Sequence, residues 1–169
     1  QTFTLKTRYI DALLDNSQVF FLLVTRNPYA SCYRAATYGA PDIVALSDTM
    51  TLDERIELAS QHWHNCMKVA LNDARYVNMF HVKFEDVLSK PKQHLEEICS
   101  FIGIDMSTKM IPQNYHNIPF GTKYRDRWYP VRKNVNDKHI SRCPPHITKI
   151  IYKRCGDIAN KIGYERPSY

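Results

Sequence analysis

The sequence predicts an α/β fold in which a parallel sheet is flanked by helices, and three observations lead there. Residues 19–25, Val-Phe-Phe-Leu-Leu-Val-Thr, are apolar or β-branched without alternation, which marks a short strand buried on both faces. Residues 76–84 form a second strand-like run. Between and after these runs lie stretches whose apolar residues recur at helical spacing. At 169 residues the chain suits one domain over 1–169, since a chain near this size buries about two thirds of its extended surface.

Residues 4–14 read as a short helix with Tyr9, Ile10, Leu13 and Leu14 on one side, and Asp15-Asn16-Ser17 breaks it. A chain that begins one short helix before its main strand reads as the later part of a larger domain. The first strand stops at Arg26-Asn27-Pro28, because Pro28 cannot continue the ladder and biases Asn27 away from helical geometry. A helix over 29–38 follows, and Tyr38-Gly39-Ala40-Pro41 opens a loop that runs to Thr49.

Thr51-Leu52-Asp53-Glu54 is a capping-box pattern at the head of a long helix. Its stripe is Leu52, Ile56, Ala59, Trp63, Met67 and Ala70. His62 and His64 flank Trp63, so they point to different sides of the helix and read as solvated histidines rather than a metal pair. After the second strand, Pro91 fits the first turn of a helix with Leu95, Ile98, Cys99 and Ile102 as its buried face, and Gly103 ends it. Pro144-Pro145 opens the last helix, with Ile147, Ile151, Cys155 and Ile158 in its packing stripe and Gly163 at its end.

The chain is 44% hydrophobic and 24% charged, an ordinary globular composition that argues against bulk disorder. A net charge of +6 favours anionic partners, whether nucleotides, sulfated glycans or nucleic acid. No stretch is long and apolar enough to span a membrane, no signal peptide opens the chain, and no metal site is indicated. Five scattered cysteines without a CxxC pair suggest neither zinc nor a disulfide framework. Cys66, Cys99 and Cys155 fall on apolar helical faces and read as buried free thiols, which leans towards a cytoplasmic setting. The Golgi lumen is the alternative if a preceding segment carries an anchor.

Arg26 stands at the carboxyl end of a parallel strand, where open α/β sheets bind their ligands. With the Ser31 hydroxyl near a helix N-terminus it makes a ready phosphate site. The competing reading has Arg26 end the strand by pairing with an acidic side chain. Glu85 and Asp86 are adjacent, so on extended backbone they face opposite ways and read as capping and salt-bridging groups rather than a catalytic pair. Residues 112–136 are polar, aromatic and basic and read as a surface loop.

A strand, Arg26-Asn27-Pro28 and then a helix carrying Ser31 resemble the 3′-phosphate-binding segment of the sulfotransferases that use 3′-phosphoadenylyl sulfate (PAPS). That family usually places its serine eight residues after the arginine, a position held here by Arg34. Ser31-Cys32-Tyr33-Arg34 aligns with the family's Ser-x-Tyr-Arg if the turn is about three residues shorter. A second landmark follows in the family's order and at its distance: Phe84-Glu85-Asp86-Val87-Leu88, Pro91, Leu95, Ile98, Phe101 and Gly103 resemble the Tyr/Phe-Glu-Asp-Leu strand end and the helix after it. Lys123, Arg125 and Arg127, beside Trp128, loosely resemble the basic loop that closes over the nucleotide, without its Lys-Gly form. Ile158-Ala159 and Gly163-Tyr164 resemble the family's closing segment.

The resemblance implies a P-loop NTPase-like sulfotransferase fold, incomplete at its N-terminus, that transfers a sulfuryl group from PAPS to a hydroxyl or amine of a small-molecule or glycan acceptor. It implies nucleotide contacts from Arg26, Ser31, Arg34, Lys123, Arg125 and Arg127, with no metal and no nucleic acid. The family's Gly-rich phosphosulfate loop is absent from these 169 residues. The segment that often carries its histidine base reads Leu5-Lys6-Thr7-Arg8, so no catalytic base is assigned and the chain alone is expected to be inactive. Two alternatives stay open. One is a non-enzymatic basic module for sulfated glycan or nucleic acid; the other, a P-loop kinase, needs a Walker-type loop upstream.

Overall fold

The computed structural model of the protein describes residues 7–14, 18–111, 117–120, 124–130 and 133–168. After helix α1 (Thr7–Leu13), strand β1 (Phe21–Thr25) runs parallel to β2 (Met79–Lys83), with Leu23 opposite His81 and Thr25 opposite Lys83. Between the strands come α2 (Pro28–Arg34), a π-helical turn (Ala35–Gly39), α3 (Pro41–Val44), a 3-10 turn (Ala45–Asp48) and α4 (Leu52–Asp73). The loop expected from 38 to 49 is thus mostly short helix. Pro41, at the first position of α3, is preset for a helix start, so it begins an element instead of only ending one.

The capping box forms as read. Thr51 Oγ1 accepts the Glu54 N–H, and Glu54 Oε2 accepts the Thr51 N–H at 2.7 Å. Helices α5 (Phe84–Ser89) and α6 (Pro91–Ile102) follow β2 directly. Gly103 (φ 82°) and Gly163 (φ 78°) terminate α6 and the last helix, α8 (Pro145–Lys161), in the left-handed conformation that glycine adopts without strain. Strands β3 (Asn117–Phe120) and β4 (Tyr124–Pro130) form an antiparallel hairpin within the stretch expected to be loop. Ile118, Phe120, Tyr124, Trp128 and Tyr129 give that polar stretch enough β-formers to pair. Helices α7 (Asp137–Arg142) and α8 (Pro145–Lys161) complete the order.

The main core joins α2, α4 and α8. Tyr29 and Cys32 meet Ile56 and Ala59 on one side and Ile147 and Ile151 on the other, all buried. A smaller group, Leu23 with Met67 and Ala70, seats α4 on one face of β1, and Ile158 of α8 packs against it. The opposite face of β1 departs from expectation: Leu22 and Val24 are 46% and 49% exposed. Phe101 of α6 packs on Phe80 and Phe20, with ring centroids 5.4 and 5.3 Å apart, so the described layer on that side lies against β2 and the start of β1. For the same reason Cys99 is the one fully buried residue of the α6 stripe, while Ile102 stays at the rim. The apolar side of α1 is likewise open, with Leu13 81% exposed.

All five cysteines are free thiols; four are buried, and Cys66, expected to be buried, is only partly so. Among the described residues no helix is long and apolar enough to cross a membrane.

Candidate functional site

The carboxyl end of β1 points at the junction of α2 and α7. Asn27, held extended before Pro28, caps α2: its Oδ1 accepts the N–H groups of Tyr29 (2.9 Å) and Ala30 (3.1 Å), and its carbonyl accepts the Ser31 N–H. The first backbone donors of α2 are therefore already used. An anion at this place would meet side chains rather than the helix N-terminus.

Arg26 supplies the first of those side chains. Its Nε donates to Asn136 Oδ1 at 2.7 Å, its Nη2 to the Val135 carbonyl at 3.3 Å, and its guanidinium lies 5.7 Å from the Phe84 ring centroid. Burial, and then the positive charge of Arg34, lower its pKa from the ordinary 12.5, while Glu85 acts in the opposite direction. Arginine remains charged under such a shift, so two guanidinium groups repel one another here.

His139 of α7 sits in the same field. It is nearly buried, and its Nδ1 is 2.5 Å from the hydroxyl of Tyr38 in the π-helical turn. Burial, followed by Arg26, Arg34, Lys138 and Arg142, holds its pKa below the ordinary 6.5. A π turn within a helix often marks a functional site; this one brings Tyr38 to the cluster. Positive charge gathered around Arg26 and His139 in this way makes a site whose strain a bound anion relieves.

The carboxylate behind the cluster is Glu85. Its Oε1 accepts the Asn27 N–H at 2.9 Å and also the side-chain amide of Asn136, and its Oε2 accepts the Tyr164 hydroxyl at 2.8 Å. Tyr164 also meets Thr25 Oγ1 at 3.2 Å, and Thr25 Oγ1 meets His81 Nε2 at 2.8 Å. Burial first, and then Glu85, push the Tyr164 phenol well up, so it stays protonated and donates. Asp86 turns away to Lys83, 3.7 Å distant. The two carboxylates do face apart, but on the first turn of α5 rather than on the extended backbone expected, and they form no catalytic pair.

Of the residues picked out from sequence, Arg26 and Arg34 lie close enough to feel each other's charge, and Ser31 lies partly buried on α2 one turn before Arg34. Arg125 and Arg127 fall on β4, and Lys123 lies outside the described residues. Asn136, Tyr38 and His139 escaped the sequence reading. Asn136 carries one usable signal, an Asn-Asp step at a helix start. Yet its side chain makes no cap bond to α7, being committed instead to Arg26 and Glu85.

The sulfotransferase family model matches residues 4–108, well over half of the chain. The chain belongs to the sulfotransferase family. Its fold agrees: the sulfotransferase domain from the curacin biosynthetic pathway superposes with a TM-score of 0.66 at 18% identity over 98% of this chain, and the one from the Synechococcus PCC 7002 olefin synthase with 0.59 at 21% over 92%. The chain spans 61% and 55% of those two domains. At such identities the likeness is one of fold, a mostly helical α/β arrangement around a small parallel sheet. No curated protein matches the sequence.

Proposed function

We propose that the protein is a PAPS-dependent sulfotransferase that transfers the sulfuryl group to a hydroxyl or amine acceptor, a carbohydrate among the candidates, and that the Arg26 cluster holds the nucleotide's 3′-phosphate. The observation that carries this reading is Arg26 standing just past the carboxyl end of a parallel strand and held towards the start of α7, within the electrostatic reach of Arg34 and His139, in a protein of the sulfotransferase family. A dianionic phosphate matches two guanidinium groups in charge, and arginine suits it in geometry.

PAPS, when bound, supplies an activated sulfuryl group. The work left to the protein is positioning and charge stabilisation, as in the analogous phosphoryl transfers. Arg26, steadied by Asn136, fixes the 3′ end of the nucleotide. Arg34 and the Ser31 hydroxyl add further donors from α2, and by the family resemblance Lys123, Arg125 and Arg127 are the basic residues that would close over the nucleotide. The Gly-rich loop that would grip the phosphosulfate end is absent from these 169 residues. We therefore assign them nucleotide binding and expect no turnover from them alone.

A thermal-shift comparison of adenosine 3′,5′-bisphosphate, adenosine 5′-monophosphate and heparin tests the reading. Stabilisation by the bisphosphate well above the monophosphate supports it. Equal stabilisation by the two nucleotides counts against it, and a strongly salt-dependent response to heparin alone would favour a non-enzymatic glycan-binding module.

A further inference from the structure

Arg26 is held by a relay that begins at Glu85. The Glu85 carboxylate binds the Asn136 amide N–H, and the same amide's carbonyl oxygen accepts Arg26 Nε at 2.7 Å. Asn136 is 6% exposed and stands at the cap position of α7 without capping it. A side-chain amide that leaves a cap unmade and spans a carboxylate and a guanidinium has its orientation fixed at both ends: nitrogen to the acid, oxygen to the cation. Glu85 is fixed in turn by the Asn27 N–H and by the Tyr164 hydroxyl. The turn between β1 and α2, the start of α7 and the chain after α8 thus meet at one carboxylate of α5.

We infer that Glu85 is a positioning residue for the nucleotide site, acting on Arg26 through Asn136, and that it sets selectivity for the 3′-phosphate; this rests on the function proposed above. The geometry has a chemical logic. A direct Glu85–Arg26 ion pair would present a neutralised cation to the ligand. An interposed neutral amide keeps the guanidinium aimed while its charge stays available to an incoming anion. Asp86, next in sequence, cannot do this, because it faces Lys83.

The test uses two readouts on the wild type and on Glu85→Ala, Glu85→Gln and Asn136→Ala. The first is the NMR signal of the Arg26 Nε–H, assigned with Arg26→Lys, which needs no nucleotide. The second is the affinity ratio between adenosine 3′,5′-bisphosphate and adenosine 5′-monophosphate. Glu85→Ala is expected to abolish the exchange-protected Nε–H signal and to cut the ratio roughly tenfold, the usual scale for a charge-assisted bond made useless. Glu85→Gln keeps an acceptor oxygen and is expected to restore both.

Asn136→Ala leaves the bonds of Glu85 to Asn27 and Tyr164 intact, so it remains informative if Glu85→Ala does not fold; it too is expected to lose the signal and the ratio. An Nε–H signal that persists in Asn136→Ala overturns the relay, as does a wild-type preference for the bisphosphate that survives there unchanged. A wild type with a protected Nε–H but no preference refutes the nucleotide reading, and with it the selectivity role, while leaving the relay geometry standing.

Discussion

Arg26 Nε donates to Asn136 Oδ1 at 2.7 Å across 110 positions of sequence, and this bond ties the end of β1 to the start of α7. Replacing Asn136 with Asp tests what kind of partner Arg26 needs. A carboxylate there would neutralise Arg26 and lie against Glu85, where like charges disfavour each other. Asn136→Asp is expected to lower the melting temperature and to weaken adenosine 3′,5′-bisphosphate binding by about tenfold or more. Titration calorimetry beside a thermal melt checks both.

Stability should fall with acid through two histidines. The pKa values of His81 and His139 both lie below the ordinary 6.5, each chiefly because of burial. His81 faces Lys83, with Asp86 opposing, and His139 faces Arg26, Arg34, Lys138, Arg142 and Tyr38. A depressed histidine binds its proton more readily when the chain unfolds. Its contribution is therefore complete above the unfolded pKa and is lost as pH drops towards the folded value. The melting temperature is expected to decline from about pH 7.5 to about pH 5.5, with a shallower slope in His139→Gln. A bound anion offsets the surrounding charge, so bisphosphate binding near pH 6 should take up protons, measurable in buffers of differing ionisation heat.

The α4–α8 seam is where the fold is least forgiving. Ile151 is fully buried there, and Ile151→Ala should cost about 2–5 kcal/mol in urea unfolding. Leu13, 81% exposed on α1, is the control: Leu13→Ala should stay within about 0.5 kcal/mol.

Gly163→Ala probes the end of α8. At φ 78° an alanine is strained, and its Cβ would come within 3.0 Å of Lys83 Nζ, which donates to the Gly163 carbonyl at 3.1 Å. The expected loss is roughly 1–2 kcal/mol, read from the same urea curves, with α4 and the core unaffected.

Local chemistry was legible in the sequence wherever it decides structure. Thr51 and Glu54 announced the capping box, Pro91 and Pro145 the helix starts, Gly103 and Gly163 the stops, and Arg26-Asn27-Pro28 the end of β1. Layering was less legible. The apolar run of β1 implies two covered faces, but coverage depends on which elements lie above it, and Leu22 and Val24 remain open. The partners of Arg26 were not legible at all. Nothing local in Asn134-Val135-Asn136 indicates a bond to residue 26, and Glu85 read as a cap or surface ion-pair group until the fold brought Asn27, Asn136 and Tyr164 around it.

The most direct measurement is calorimetric titration of the wild type and of Arg26→Gln with adenosine 3′,5′-bisphosphate and adenosine 5′-monophosphate, with circular dichroism to verify the fold. The wild type should prefer the bisphosphate by about tenfold or more, and Arg26→Gln should bind the two nucleotides alike. Equal affinities in the wild type, or a preference that survives Arg26→Gln, would contradict a 3′-phosphate site at the end of β1.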